Sequence, residues 1–292
     1  MSILVNRDTR VIFQGLTGAT ASRMAERAIA VGTELVGGVR PGKGGTRHLN
    51  VPVFDTVAQA VDATRPDATA VFVPPLNAAE AMIEAVEAGV KLIVCVTERI
   101  PVLDMVRVRD ALSGSQSRLI GPNSFGIITP GECRIGVMPD RPHLPGKIGI
   151  ASRTATLTYA VVDQTTRLGL GQSTSLGIGG DPVHGIGFAE CLELFLADEQ
   201  TAGIVLIGEI GGSEEEEAAA LLGQRRPAKP VVAYVAGVHA PPARRMGHAG
   251  TVDLFGGGDV RGKIGALRDA GAIIADNPSL IGHAMREALR QA

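Results

Sequence analysis

The chain has 292 residues, 45% of them hydrophobic, enough for two domains with separate cores. A formal net charge of −2, no Trp and two Tyr exclude the basic stripe and stacking aromatics of a nucleic-acid binder. Cys95, Cys133 and Cys191 form neither a CxxC pair nor a metal-ligand spacing, so reduced thiols, no metal site and a cytoplasmic location are expected. The opening MSILVNRDTR has no long apolar run after its charges, and no stretch reaches ~18 apolar residues, so neither a secretory leader nor a membrane span is expected.

Short apolar runs alternate with amphipathic stretches. In the first half, Val11–Gln14, Leu35–Val39, Ala68–Val73 and Leu92–Val96 read as strands, and Ala21–Val31 and Ala78–Ala88 as helices. This βαβ rhythm predicts an α/β fold, a parallel sheet covered by helices on both faces. The unit ends near GPNSFGIITPG, residues 121–131, which is rich in turn formers. A second series follows, with strands at Lys147–Ala151, Ser173–Leu176, Ile204–Ile207 and Val231–Ala236. Its helices are Leu157–Thr166, Phe188–Leu196, Glu214–Leu222 capped by Ser213, and Leu280–Arg290, with a Gly- and Pro-rich loop running to about Arg261. The stretch without periodicity between about 121 and 146 marks the boundary, giving domains 1–125 and 146–292 joined by 126–145. The acids Glu214–Glu217 read as first-turn residues that complement the helix dipole.

Five segments carry candidate chemistry. Gln14–Ser22, QGLTGATAS, follows a strand and opens a helix, where free backbone N–H groups bind phosphate. It is a loose relative of the dinucleotide fingerprint, with Ala21 or Ser22 at the third glycine. Arg40–Thr46, RPGKGGT, places cations where a NAD site has an acid, which suits the extra phosphate of NADP or CoA; a solvated loop is the alternative. The turn Ser152–Thr156 offers two N-cap residues at a helix start, equally a plain cap or an anion site. Glu209, between glycines at a strand end, has room to orient a histidine, or is an exposed loop carboxylate. His248, between small residues after Arg244 and Arg245, has the open, positive setting of a nucleophile toward phosphorus, which the other five histidines lack; a structural role is the alternative.

Together, VGGVRPGKGGT, VPVFDTV, LIGPN, ITPGEC, TLTY, GQST, GIGGDP, IGEIGGSEEEEAAA, KPVVAYVAG and RMGHAG resemble the succinyl-CoA synthetase (succinate–CoA ligase) alpha-subunit family in order and spacing, over nearly the whole chain. The resemblance implies an N-terminal Rossmann-like CoA-binding domain and a C-terminal flavodoxin-like ligase domain. It implies a partner beta subunit of ATP-grasp fold that binds ATP or GTP with Mg2+, in a heterodimer or heterotetramer. His248 then carries the phosphoryl group and Glu209 orients its imidazole. The phosphoryl group passes to a small carboxylic acid, and the CoA thiol attacks the resulting acyl phosphate. By the same resemblance CoA lies along Thr17, Gly18, Ala19, Thr20, Ala21 and Ser22, with Lys43, Val73, Pro74, Val96, Thr97 and Glu98. The substrate or phosphate site takes Asn123, Ser124, Phe125 and Gly126, with Ser152, Arg153, Thr154, Ala155 and Thr156 at the helix start.

The chain departs from the family pattern in places. GPNCPG is GPNSFG here, with Ser124 and Phe125; SRSGTLTYE is SRTATLTYA, with Thr154 and Ala155; TEGIP carries Arg99; Ala21 replaces a glycine; and TVDLFGGG follows the histidine segment. The first two changes imply a reshaped acid pocket, so malate or a sulfonated carboxylate such as sulfoacetate stands beside succinate. An NADP-dependent oxidoreductase would leave RMGHAG and GEIGG unexplained, and a non-catalytic CoA sensor would not need His248 and Glu209.

Overall fold

The structure, a computed structural model, describes residues 3–241, 245–251 and 259–291. The chain divides into two compact units, one formed by Leu4–Asp140 with Val183–Ile186 and the other by Met1–Ile3, Arg141–Pro182 and Gly187–Ala292.

In the first unit the runs of Val, Ile and Ala form fully buried strands. The elements are β1 (Arg10–Gln14), α1 (Ala19–Ala30), β2 (Glu34–Val39), β3 (Arg47–His48), β4 (Val51–Phe54), α2 (Val57–Thr64), β5 (Ala68–Val71), α3 (Pro75–Glu87), β6 (Leu92–Cys95), α4 (Val102–Leu112) and β7 (Arg118–Ile120). The strands lie in the order β3-β4-β2-β1-β5-β6-β7, all parallel except the β3–β4 pair. Counting the parallel strands along the chain, this is the 3-2-1-4-5-6 order of a Rossmann sheet, with its switch point between β1 and β5. Ile12, Val71, Met82 and Ile93 centre its core. Helix α1 starts two residues earlier than the sequence predicts, so Ala19 and Thr20 are helical.

Several short elements escape the sequence reading. Helix α2 is only eight residues long and is capped by Thr56, whose hydroxyl accepts the Gln59 N–H at 3.2 Å. Helix α4 spreads its apolar residues around the axis, burying Met105 and Val108 while Leu103 and Val106 stay exposed. Strands β8 (Gly126–Thr129) and β9 (Cys133–Gly136) form an antiparallel hairpin in the stretch expected to be an aperiodic connection. Four residues apiece are too few to register as a period.

The second unit contains β10 (Pro145–Ser152), α5 (Ala155–Arg167), β11 (Gln172–Gly177), α6 (Phe188–Ala197), β12 (Gly203–Glu209), α7 (Glu214–Arg225), β13 (Val231–Ala236), α8 (Val260–Asp269), β14 (Ile273–Ile274) and α9 (Ile281–Gln291). Its strands run β14-β13-β12-β10-β11, all parallel. In chain order this is 5-4-3-1-2, the flavodoxin-like winding, with the switch point between β10 and β12. Ile148, Ile150, Val205, Ile207, Val232 and Met285 pack its core. Among the described residues no helix is long and apolar enough to cross a membrane.

Candidate active site

Two neighbouring strands of the second unit, β10 and β12, send their chains in opposite directions at the carboxyl edge. The crevice that this opens is where open α/β sheets hold ligands. Glu209 is the last residue of β12 and is 6% exposed. Its carboxylate meets His248 Nδ1 at 2.9 Å from Oε1 and 3.0 Å from Oε2. The His248 side chain is 33% exposed, so one edge of the ring reaches solvent. The hydrogen bond to Glu209 raises the His248 pKa above its ordinary value, aided by the charges of Glu209 and Asp181 and opposed by burial and by Arg153. A neutral ring in this contact donates from Nδ1, which leaves the Nε2 lone pair free. Gly180, just after β11, makes the approach possible: a Cβ there would lie 2.3 Å from His248 Nδ1. Arg244 and residues 252–258, including the departure from the family tail, lie outside the described residues.

Behind this pair lies a buried ionic cluster. Arg153, 5% exposed, places Nη2 3.4 Å from Glu209 Oε1 and donates from Nη1 to the Gly211 carbonyl at 2.9 Å. Glu215, 2% exposed, accepts the Glu209 N–H at 2.9 Å and pairs with Arg153 at 3.4 Å. Its second oxygen pairs with Lys263, which is fully buried and also donates to Glu216 and the Gly212 carbonyl, each at 2.9 Å. The sequence reading missed Gly180, Asp181, Glu215 and Lys263. Glu215 sits in an acid run that reads as first-turn charge, and Lys263 is one basic residue on an ordinary helix.

At the start of α5 the structure corrects the capping expectation. Thr154 holds the N-cap position in extended conformation, but its side chain caps nothing. The Ser152 hydroxyl is turned onto Thr154 instead, accepting its N–H at 3.1 Å and donating to its carbonyl at 3.0 Å. Ala155 and Thr156 thus begin a helix with no side-chain cap. Ser213 likewise heads α7 without capping it; its hydroxyl donates to Glu217 at 2.7 Å.

In the first unit a cavity of about 600 Å³ opens at the β1/β5 switch point, lined by Gln14, Gly15, Val39, Arg40, Val73 and Pro74 among others. Of the residues expected along CoA, Val73 and Pro74 line it; Lys43 is exposed on the loop after β2. That loop is held by Asp55, whose Oδ1 accepts the N–H groups of Gly42 and Gly44 at 2.7 and 2.9 Å. Gly15 lies at φ +85°, and a Cβ there would sit 2.8 Å from the Phe72 carbonyl oxygen. Thr17 and Gly18 lead from this turn into α1, which has no side-chain cap, while the hydroxyl of Ser22 donates to the Leu16 carbonyl at 2.9 Å. Ala21, at the family's glycine position, is buried. The Thr97 hydroxyl, between Val96 and the exposed Glu98, donates to the Val73 carbonyl at 2.7 Å. The Asn123 N–H donates to the Thr97 carbonyl at 2.9 Å. Ser124 and Phe125 are 3% and 5% exposed, and Ser124 Oγ accepts the Gly126 N–H at 2.8 Å.

Known proteins resemble the chain on both units. The model of the CoA binding domain matches residues 6–99, and that of the CoA-ligase domain residues 151–273. The succinate–CoA ligase (ADP-forming) alpha subunit of Aquifex aeolicus is 48% identical over 99% of this chain and 95% of its own length. That of Staphylococcus epidermidis is 45% identical over 100% and 96%. Among solved structures, ATP citrate lyase from Methanothrix soehngenii in complex with citrate and coenzyme A matches 99% of this chain with a TM-score of 0.87 at 21% identity. A dinucleotide-forming acetyl-coenzyme A synthetase from Ca. Korarchaeum cryptofilum matches 96% with a TM-score of 0.78 at 18% identity. The chain spans 51% and 61% of those two structures, and at such identities the likeness is one of fold.

Proposed function

From its place in the succinate–CoA ligase alpha-subunit family, to which this chain belongs, we propose that it forms succinyl-CoA together with a beta subunit of ATP-grasp fold. Its reaction runs through a phosphoryl group carried on His248. The observation that carries this reading is the His248 imidazole held through Nδ1 by the buried Glu209 at a sheet switch point. With Nδ1–H donated to Glu209, the Nε2 lone pair is the nucleophile toward the γ-phosphorus of ATP or GTP, which the partner subunit holds with Mg2+. The P–O bond to the nucleoside diphosphate breaks as the P–N bond forms. The succinate carboxylate then takes the phosphoryl group from Nε2, turning a poor electrophile into one with a good leaving group. CoA, when bound, supplies the thiol that displaces phosphate from the acyl carbon.

The first unit fits CoA. The cavity at the β1/β5 switch point, the close backbone approach at Gly15 and the uncapped start of α1 suit a pyrophosphate. In this reading Thr17–Ser22, Val73, Pro74, Val96, Thr97 and Glu98 follow the ligand, and Lys43 meets its 3′-phosphate. The uncapped start of α5 at Ser152–Thr156 suits the phosphoryl group on the histidine. Asn123, Ser124, Phe125 and Gly126 bound the acid site. The NADP-dependent oxidoreductase and the CoA sensor gain no support from whole-length similarity to ligase subunits.

The test is to purify the chain with its partner subunit and incubate the pair with γ-labelled ATP or GTP. Acid-labile, base-stable label on the chain, lost in His248→Asn, is expected. CoA-dependent nucleotide hydrolysis across a panel of acids then gives succinate the highest kcat/KM. Absence of label refutes the phosphohistidine, and a preference for malate or sulfoacetate refutes the acid.

A further inference from the structure

We propose that Glu215 and Lys263 are positioning residues that hold Glu209 and Arg153 in the geometry that aims His248 Nε2 at phosphorus. This rests on the phosphohistidine reading above.

Geometry carries the proposal. The Glu215 carboxylate touches the Glu209 unit twice, accepting its backbone N–H at 2.9 Å and pairing with Arg153, itself 3.4 Å from the Glu209 carboxylate. Lys263 fixes the other Glu215 oxygen and donates to the carbonyl of Gly212, in the turn just after Glu209. It stands on the first turn of α8, the first helix after the segment that bears His248. Arg153 closes the cluster by donating to the Gly211 carbonyl at 2.9 Å. The Glu209 side of the His248–Glu209 contact is therefore anchored, through its backbone N–H and through Arg153, to one buried pair of opposite charges.

Stability alone is a poor reason to keep that pair. Desolvating two ions offsets their attraction, and well-packed apolar residues commonly do as well. An ion pair does supply fixed directions, and Glu215 uses both oxygens and Lys263 several donors. The cluster also balances charge near the ring. Glu209, Arg153 and Asp181 act on His248 directly, and Glu215 and Lys263 stand behind them. Neutralising Glu215 removes a negative charge and frees Arg153 to pair wholly with Glu209, so His248 should titrate at lower pH. Neutralising Lys263 removes a positive charge and should move it to higher pH. A purely structural role predicts no such opposed pair of shifts.

The experiment uses the chain assembled with its partner subunit and the variants Glu215→Gln, Lys263→Met and Lys263→Arg. Histidine ¹⁵N NMR follows the titration and tautomer of His248, and single-turnover labelling with γ-labelled ATP follows phosphoryl transfer. The expected result is opposed titration shifts in Glu215→Gln and Lys263→Met. Labelling slows by up to ~100-fold, the scale of a small misplacement of reacting groups. The KM for nucleotide stays unchanged, and Lys263→Arg recovers most of the rate. An unmoved His248 titration with the parent's labelling rate overturns the proposal. Should a single variant fail to assemble, the charge-neutral double variant Glu215→Gln/Lys263→Met is read by its labelling rate, since its two titration shifts offset, and a parental rate in it overturns the proposal. Absence of label on the parent would instead refute the phosphohistidine, and the titration would then decide only whether Glu215 and Lys263 set the Glu209–His248 contact.

Discussion

Replacing Glu209 by glutamine tests the core of the site with a change of one atom. The carboxylate accepts Nδ1–H at 2.9 Å from within a nearly dry strand end. Losing a hydrogen bond to a charged acceptor costs about 1.5–3 kcal/mol, or roughly 10- to 100-fold in rate. The amide also allows an inverted pairing, its NH2 donating to Nδ1, which places the ring proton on Nε2 and blocks the nucleophile. In the serine-protease triad a comparable tautomer error costs about 10⁴-fold. We therefore expect single-turnover phosphorylation in Glu209→Gln to fall by between ~10- and ~10⁴-fold, with nucleotide KM nearly unchanged. The pH profile adds a signed check. In the proposed reaction the neutral ring is the nucleophile, and its pKa is raised above the ordinary histidine value, first through the Glu209 hydrogen bond, so phosphorylation falls as pH drops through that raised value. Glu209→Gln moves this limb toward lower pH. The same contact stabilises the fold in full below about pH 6.5, and that contribution fades as pH rises through the folded-state pKa; urea midpoints of the variant lose this dependence. A variant that phosphorylates at the parental rate with an unmoved acid limb refutes the role given to Glu209.

Three further outcomes follow from particular contacts. Gly180→Ala introduces a Cβ 2.3 Å from His248 Nδ1, so the ring must leave Glu209, and labelling should fall by ~10-fold or more while circular dichroism stays parental. Lys43→Ala should raise the KM for CoA by about tenfold, the scale of one charge-assisted contact, and leave that for dephospho-CoA unchanged, which steady-state kinetics with both thiols will show. Arg99 occupies a left-handed conformation, φ 62°, where the family pattern has glycine. Arg99→Gly should relieve about 1–2 kcal/mol of strain against a glycine entropy cost of about 0.5–1 kcal/mol, for a net gain of up to ~1.5 kcal/mol in denaturant unfolding.

What was legible in the sequence follows from how long each element is and how deeply it is buried. Strands such as β12, seven buried residues, and β6, four buried residues flanked by helices, stand out as apolar runs. The β8–β9 hairpin and the two-residue β3 do not, because their pairing partners rather than their own pattern make them strands. Helix α4 was missed because exposed Leu103 and Val106 blur its periodicity. At the site, His248 and Glu209 were legible because each sits among glycines in a segment with no structural need for a titratable side chain. Glu215 was hidden because a helix start favours acids in any case, so its burial against Lys263, 48 positions away, leaves no local trace.

The two units solve the anion problem by different means, and sheet topology explains why. Each winds outward from a switch point, where two adjacent parallel strands end and their following helices turn to opposite faces. Between β1 and β5 the loops stay close to backbone, with Gly15 packed under the Phe72 carbonyl and lining the cavity, and α1 begins just beyond it without a side-chain cap. A ligand that binds and leaves unchanged in its phosphates needs no more than that. Between β10 and β12 the corresponding positions are Arg153 and Glu209, both nearly dry and ionic. In the proposed reaction the histidine must be neutral to attack and must then carry a doubly charged group, which calls for charge that is fixed before the group arrives. Backbone dipoles alone cannot set a ring tautomer; the Glu209 carboxylate, held by Arg153 and Glu215, does.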